Sequence, residues 1–324
     1  MKNILFIAPT FFDYYKDIKT QFEREGYNVV YFDDRPSKHF ISKALIRLNK
    51  NSQKRKITKY VDTILNSVEH IKLDIVFIIL GQSFSRDCII RIKEAHPEAK
   101  YIYYSWDSVK NFPNILEFRD CFDKVYHFDN RDSKEFGFEL LPLYYSNKIN
   151  EQEPVFSFSA VFTVKKGKLK KFLKIMELIP NDVKKNGFVY LYLQSRLVYF
   201  FYKLKYKEFR KSWLKDFRFK KLSKEEFYDI MAKSKVIIDV QMKSQSGLTM
   251  RTLEALHAKK KLITTNPNVM DYEFYSPKNI CVINKNHNYL PSDFFDAPFD
   301  KKHGVTRNYS LKAFVQTILG EKVL

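Results

Sequence analysis

The residues best arranged for chemistry lie between Ser234 and Tyr275, in the run SKVIIDVQMKSQSGLTMRTLEALHAKKKLITTNPNVMDYEFY. The pattern predicts a strand at 236–240, a polar loop containing Gly247, a helix over 248–258, a basic turn and a strand at 261–265. A parallel strand delivers its loop to the carboxyl edge of the sheet, where ligands of open α/β sheets bind. The loop 243–249 opens into a helix whose free N–H groups and dipole favour a phosphate or diphosphate. Gly247 lets the backbone approach such a group closely, and Thr249 and Arg251 add donors. Glu254 follows Arg251 by three residues, near enough on the helix face to reach a ribose diol beside that phosphate. Taken alone, the same run also suits an amphipathic helix with a glycine-containing entry loop.

Other candidates follow expected strands earlier in the chain. Asp13 in PTFFDYY and Asp107 in YYSWDS are carboxylates suited to take a proton from a hydroxyl. Asp107 is the first choice of the two, because its strand-end loop presents it beside the aromatic wall of Trp106. Asp107 equally suits a helix cap, and Trp106 a core position. Asp129 and Arg131, in HFDNRDS, occupy a similar loop; Asp129 also reads as an N-cap, and His127 as a strand residue. Gln82, in the Gly81-Gln82-Ser83 turn, is a candidate for an acceptor pocket. Lys165 and Lys166, in TVKKG, follow the strand expected at 156–163.

These loops need a scaffold, and the hydrophobic pattern supplies one. NILFIA at 3–8, a helix over 13–25, Gly26 and YNVVYF at 27–32 make a β-α-β unit. The alternation continues with a basic helix at 42–69, strands at 74–80, 101–104 and 124–128, and a helix at 87–96 between the first two of these. Residues 140–145 close the first half. The polar run 146–154 ends in proline and reads as a linker. Strands at 156–163 and 188–193, with a basic helix at 168–178 between them, restart the pattern ahead of the run described first. A strand at 280–283 and a helix at 310–319 complete it. The reading is α/β, two Rossmann-like domains facing a cleft: 1–150, 151–305, and a C-terminal helix in 306–324.

The run GLTMRTLEALHAKKKLITTN, with Gln245 ahead of it, resembles the nucleotide-sugar loop and helix of GT-B glycosyltransferases from bacterial polysaccharide and lipopolysaccharide synthesis. The resemblance implies that Gly247, Leu248 and Thr249 line the diphosphate with Gln245 nearby, that Arg251 neutralises it, and that Glu254 holds ribose. It further implies a basic residue against the donor phosphates, Lys165 or Lys166, stabilising the departing nucleoside diphosphate. The acceptor side, with Asp107 or Asp13 as base and Trp106 and Gln82 as contacts, falls to the first domain. Retaining members of the largest GT-B group carry a second glutamate eight positions before the ribose glutamate; here that position is Ser246, which favours inversion. His257 and Lys259 stand where many relatives have a small residue and a glycine. No Asp-x-Asp motif occurs, which implies transfer without a metal; the nucleotide-sugar is a co-substrate and no cofactor is expected.

Composition bounds the partners. The 324 residues exceed what one core comfortably serves. A formal charge of +20 points to anionic partners: phosphorylated substrates, nucleic acid or an anionic membrane. The three cysteines lie far apart, without metal-ligand or disulfide spacing, which fits a reducing compartment. Met1-Lys2 and the short apolar run after it make no secretory signal, and 188–202 is too short and polar for a span. The expected location is cytoplasmic, peripheral on the inner face of the plasma membrane. Basic and aromatic residues mix at 43–59 and 199–224, which suits adsorption to anionic lipid near a lipid-linked saccharide acceptor. No recognisable nucleic-acid motif accompanies them, so nucleic acid is not expected. Two alternatives remain: a non-catalytic nucleotide- or nucleic-acid-binding Rossmann protein, and a CDP-linked polyol-phosphate transferase, against which the seven scattered histidines count.

Overall fold

A computed structural model describes residues 1–10, 13–36, 50–146, 149, 152–242 and 245–321. The start of the expected basic helix, Lys43 included, and Lys243 and Ser244 of the expected phosphate loop lie outside the described residues. The chain forms two compact units: 1–142 together with 311–324, and 143–310.

The first unit is built on a parallel sheet of β1 (Lys2–Ile7), β2 (Tyr27–Phe32), β3 (Ile75–Ile79), β4 (Lys100–Ser105), β5 (Lys124–His127) and β6 (Glu139–Leu140). Their order is β2-β1-β3-β4-β5-β6. Strand side chains alternate between faces, and both faces are covered, which is why strands such as IVFII are apolar throughout. One face carries Leu5, Ile7, Val76, Ile78, Tyr101 and Tyr103 against Val61, Ile64, Ile89 and Ile92 of the helices Lys50–Val68 and Arg86–Ala95. On the other, Phe6 stacks on Phe77 at 5.5 Å and meets Phe22 of the helix Tyr14–Arg24 edge-on at 6.0 Å. The C-terminal helix Leu311–Leu319 completes this layer, with the Phe314 ring 4.9 Å from Tyr104. The helix expected to stand apart in 306–324 thus belongs to the first unit, because its apolar stripe is buried there.

The second unit contains β7 (Phe156–Thr163), β8 (Gly187–Tyr192), β9 (Phe217–Arg218), β10 (Ser234–Asp239), β11 (Lys261–Thr264) and β12 (Ile280–Val282), all parallel. The order β9-β8-β7-β10-β11-β12 is 3-2-1-4-5-6 counted within the unit, the doubly wound Rossmann arrangement. Phe158, Ala160, Phe162, Val236 and Ile238 face Leu169, Phe172 and Ile175 of the helix Lys168–Leu178. A Cβ on Gly187 would lie 2.2 Å from the Phe158 ring, so β7 and β8 close over an aromatic that only glycine admits.

The units divide between Pro142 and Leu143, ahead of the polar run 146–154. Contacts account for this position. Tyr145 donates its N–H to the Tyr309 carbonyl at 2.9 Å, and its ring stacks on His257 at 3.7 Å. Tyr145 and Ser310 form a parallel bridge, so the outgoing and returning segments are fixed side by side within the second unit.

Candidate functional site

In a doubly wound sheet the strand order reverses at one point, and the loops leaving the carboxyl ends there diverge to leave a binding crevice. In the second unit that point lies between β7 and β10. The loop after β7 enters the helix Lys168–Leu178, and the loop after β10 enters the helix Met250–His257.

Asp239, the last residue of β10, organises this edge. Its buried carboxylate accepts from Thr249 Oγ1 at 2.6 Å, from Arg251 at 3.0 Å and from Thr252 Oγ1 at 3.4 Å. Thr249 is also the N-cap, accepting the Thr252 N–H at 3.2 Å. The Arg251 guanidinium lies over the Phe227 ring at 5.2 Å, held from both sides. Gln241 Nε2 donates to the Gly247 carbonyl at 2.6 Å, and Asn266 and Asn268 donate to the Ser246 carbonyl at 3.1 and 2.9 Å. These bonds pin the loop carbonyls, and planar trans peptides turn the N–H groups that follow them the other way.

Lys168 joins this cluster from the neighbouring helix. Burial pulls its ammonium down to about 8, with Asp239 opposing the shift and Arg251, Lys165 and Lys171 adding to it. Lys171, one turn on, donates to the Gln241 carbonyl at 3.0 Å. The lysines singled out from sequence, Lys165 and Lys166, are exposed. Gly167, at φ 79°, starts the helix after them and brings Lys168 and Lys171 toward the cluster. Sequence held a signal for this, since lysines three apart in a first helical turn share a face.

Of the other donor candidates, Gln245, Thr249 and Arg251 are partly exposed, whereas the Leu248 side chain is buried, leaving only its backbone for a ligand. Glu254 is buried, and its Oε1 accepts from Tyr228 OH at 2.6 Å and Ser146 Oγ at 3.3 Å. Burial pushes its carboxyl up to about 7 against the pull of these two hydroxyls.

The first unit's edge has a different make-up. Its order reverses between β1 and β3, and the residues gathered there include two acids that sequence reasoning passed over. Asp33 accepts from Thr10 Oγ1 at 3.0 Å, and Asp34 accepts the Gln82 backbone N–H at 3.1 Å. Arg35 Nε lies 3.3 Å from Asp34 and 3.7 Å from Asp33. Asp34 is fully buried, and burial pushes its carboxyl up to about 7 despite the Gln82 N–H and Arg35. Leu80 and Gly81, at φ 61° and 59°, make the left-handed turn that aims the Gln82 N–H at it. The signal in the sequence was the Asp-Asp pair directly after β2.

The first unit's expected catalytic residues have local partners of their own. Asp107 Oδ1 accepts from the Ser108 N–H and Asn111 Nδ2, both at 2.8 Å, so it braces its own turn. Trp106 meets Tyr14 edge-on at 6.4 Å. Asp13, at φ 55°, is exposed and paired with Lys16 at 3.1 Å. Asp129 caps the helix Asn130–Phe136, accepting from the Arg131 and Asp132 N–H groups. His127 is buried with Nδ1 accepting the Asp129 N–H, and burial lowers its pKa. Among the described residues no three His, Cys, Asp or Glu side chains converge as metal ligands would.

No protein-family model matches the sequence, and no curated protein matches it. Solved structures do resemble it. A glycosyltransferase from Rickettsia africae aligns at TM-score 0.59 and 14% identity over 98% of this chain and 97% of that one. A UDP-GlcNAc 2-epimerase from Methanocaldococcus jannaschii, in complex with UDP-GlcNAc and UDP, aligns at 0.54 and 11% over 99% and 100%. The S. aureus MnaA–UDP co-structure aligns at 0.55 and 10% over 98% and 95%. At such identities the likeness speaks for architecture, and with two parallel six-stranded Rossmann-like units the chain has the GT-B fold.

Proposed function

We propose that this chain is a glycosyltransferase that moves a sugar from a nucleotide-sugar donor to a saccharide or lipid-linked acceptor. The observation that supports it most is the second unit's switch-point edge, where Asp239 fixes Thr249 and Arg251 at a helix N-terminus and Lys168 adds charge. A diphosphate fits this arrangement, and it needs its charge neutralised when it leaves. Glu254, one turn into the helix, is the group for the ribose diol. The solved structures that hold UDP or UDP-GlcNAc on the same architecture support this reading of the donor. The acceptor hydroxyl would lose its proton to Asp107 or Asp13, with inversion and without a metal. Surface polysaccharide or lipopolysaccharide synthesis on the cytoplasmic side of the membrane is the setting the sequence resemblance favours.

A melting-temperature panel with UDP, GDP, CDP, CMP and ADP tests the donor site, since a ligand of the folded state raises stability. One nucleotide should stabilise the wild type and fail on Glu254→Ala. If none shifts the melt at millimolar concentration, the proposal fails. Product analysis with the matching nucleotide-sugar then separates transfer to an acceptor from epimerisation of the donor sugar.

A further inference from the structure

The helix Arg196–Lys205 is apolar on two sides. Its inner side, with Val198, Tyr199 and Tyr202, packs into the second unit's core beside Phe209 and Phe217. Its outer side carries Leu197, Phe200, Phe201 and Leu204, which are 80%, 54%, 54% and 82% exposed. These positions are spaced i, i+3, i+4 and i+7, one continuous stripe. Trp213, 68% exposed, lies close to the same helix, with the Lys203 ammonium 5.8 Å from its ring centroid. Five of the eleven most exposed large apolar side chains among the described residues thus fall within 197–213. A soluble surface scatters such residues singly; a rigidly anchored stripe marks a contact.

Charge identifies the occupant. Residues 196–221 hold ten basic side chains against two acidic ones. Arg196, Lys205, Lys207, Arg210, Lys211 and Lys215 are exposed around the stripe. We propose that this helix docks flat on an anionic lipid bilayer, its leucine and phenylalanine stripe among the acyl chains and its lysines and arginines at the headgroups. Amphipathic helices partition in this way when apolar burial and basic charge act together. A single-stranded nucleic acid could stack on Phe200 and Phe201 but would leave Leu197 and Leu204, the two most exposed residues of the stripe, without an apolar partner. A second copy would bring the same positive surface against itself.

The proposal stands independently of sugar transfer, and its test needs no activity. Flotation with phosphatidylcholine vesicles containing about one-third phosphatidylglycerol should carry the protein, whereas pure phosphatidylcholine should carry little. Leu197→Ser with Leu204→Ser should lower binding by roughly tenfold or more, since the change removes the apolar burial of both leucines among the acyl chains. Both side chains are exposed, so the melting temperature should hold, and a melt of each variant verifies it. Lys205→Glu with Lys211→Glu should lower binding only to the anionic vesicles. Failure of the wild type to float, or undiminished flotation of the leucine variant, overturns the proposal. So does a stripe-dependent dimer in solution, or stripe-dependent RNA binding in place of vesicle binding.

Discussion

The two sheet edges at which strand order reverses share a scaffold and differ in how their acids are treated. In the second unit Asp239 is met by two hydroxyls and a guanidinium, so its charge is compensated and the lysine and arginine around it set the polarity of the edge. In the first unit Asp34 is buried with one backbone donor and an arginine that also faces Asp33, and its carboxyl holds its proton to about 7. The same topology thus presents one edge made for an anion and one where a carboxyl hovers between charge states near neutrality. Position at a switch point does not fix the chemistry; the side chains around the strand-end acid do.

The largest test removes the organiser. Asp239→Ala leaves Arg251 uncompensated at a mostly buried site and frees the Thr249 cap, and should cost about 3 kcal/mol. Denaturant unfolding measures the loss, and the nucleotide-induced rise in melting temperature should vanish with it. A neutral effect would mean that the network is ornamental.

Asp34→Asn sharpens the contrast through pH. Its folded-state value near 7 exceeds the ordinary value of 3.8, so the folded state binds the extra proton between these limits. Stability from this group is therefore greatest below about pH 4 and is lost as pH rises through 7. The asparagine variant should lack that decline, gaining about 2 kcal/mol relative to wild type between pH 5 and pH 8. Equal slopes in the two proteins would refute the protonated carboxyl.

Glu254 and Lys168 place a pH window on the proposed donor site. Glu254 ionises, giving up its own donor proton, above about 7, and Lys168 loses charge above about 8. Nucleotide affinity, followed by calorimetry, should rise through the first value and fall through the second. Glu254→Gln should remove the acid limb and Lys168→Met the alkaline limb, each weakening binding by roughly tenfold, a change of about 1.4 kcal/mol. A flat profile in the wild type would sink this assignment.

The smallest effect is Lys259→Gly. Lys259 has φ 54°, a left-handed conformation that glycine adopts without strain, so the change should stabilise the protein by about 1 kcal/mol in urea unfolding.

What could be read in advance follows from the range of the forces involved. Strand ends, helix starts and the loop–helix of 245–257 were legible because apolar periodicity and turn chemistry are local. The second unit's strand 156–163 and helix 168–178 were expected with the bounds observed. The Asp34–Gln82 contact spans 48 residues and depends on two left-handed residues in a row, which no local pattern announces. Lys168 was overlooked for a subtler reason: five lysines lie within seven residues, and only the helix phase set by Gly167 decides which approach Asp239. The C-terminal helix was legible as a helix, but its allegiance to the first unit rests on Phe314 finding Tyr104, a long-range match.

That allegiance has a consequence for the order of events on the ribosome. Residues 143–310 form one uninterrupted unit, complete before the last helix is made. The first unit, though begun earlier, waits for 311–319 to cover one side of its sheet. Translation therefore finishes residues 143–310 first, and the apolar layer holding Phe6, Phe77 and Tyr104 stays incompletely covered until 311–319 has emerged. A released chain ending at residue 310 should show a protease-resistant 143–310 beside a cleavable first unit.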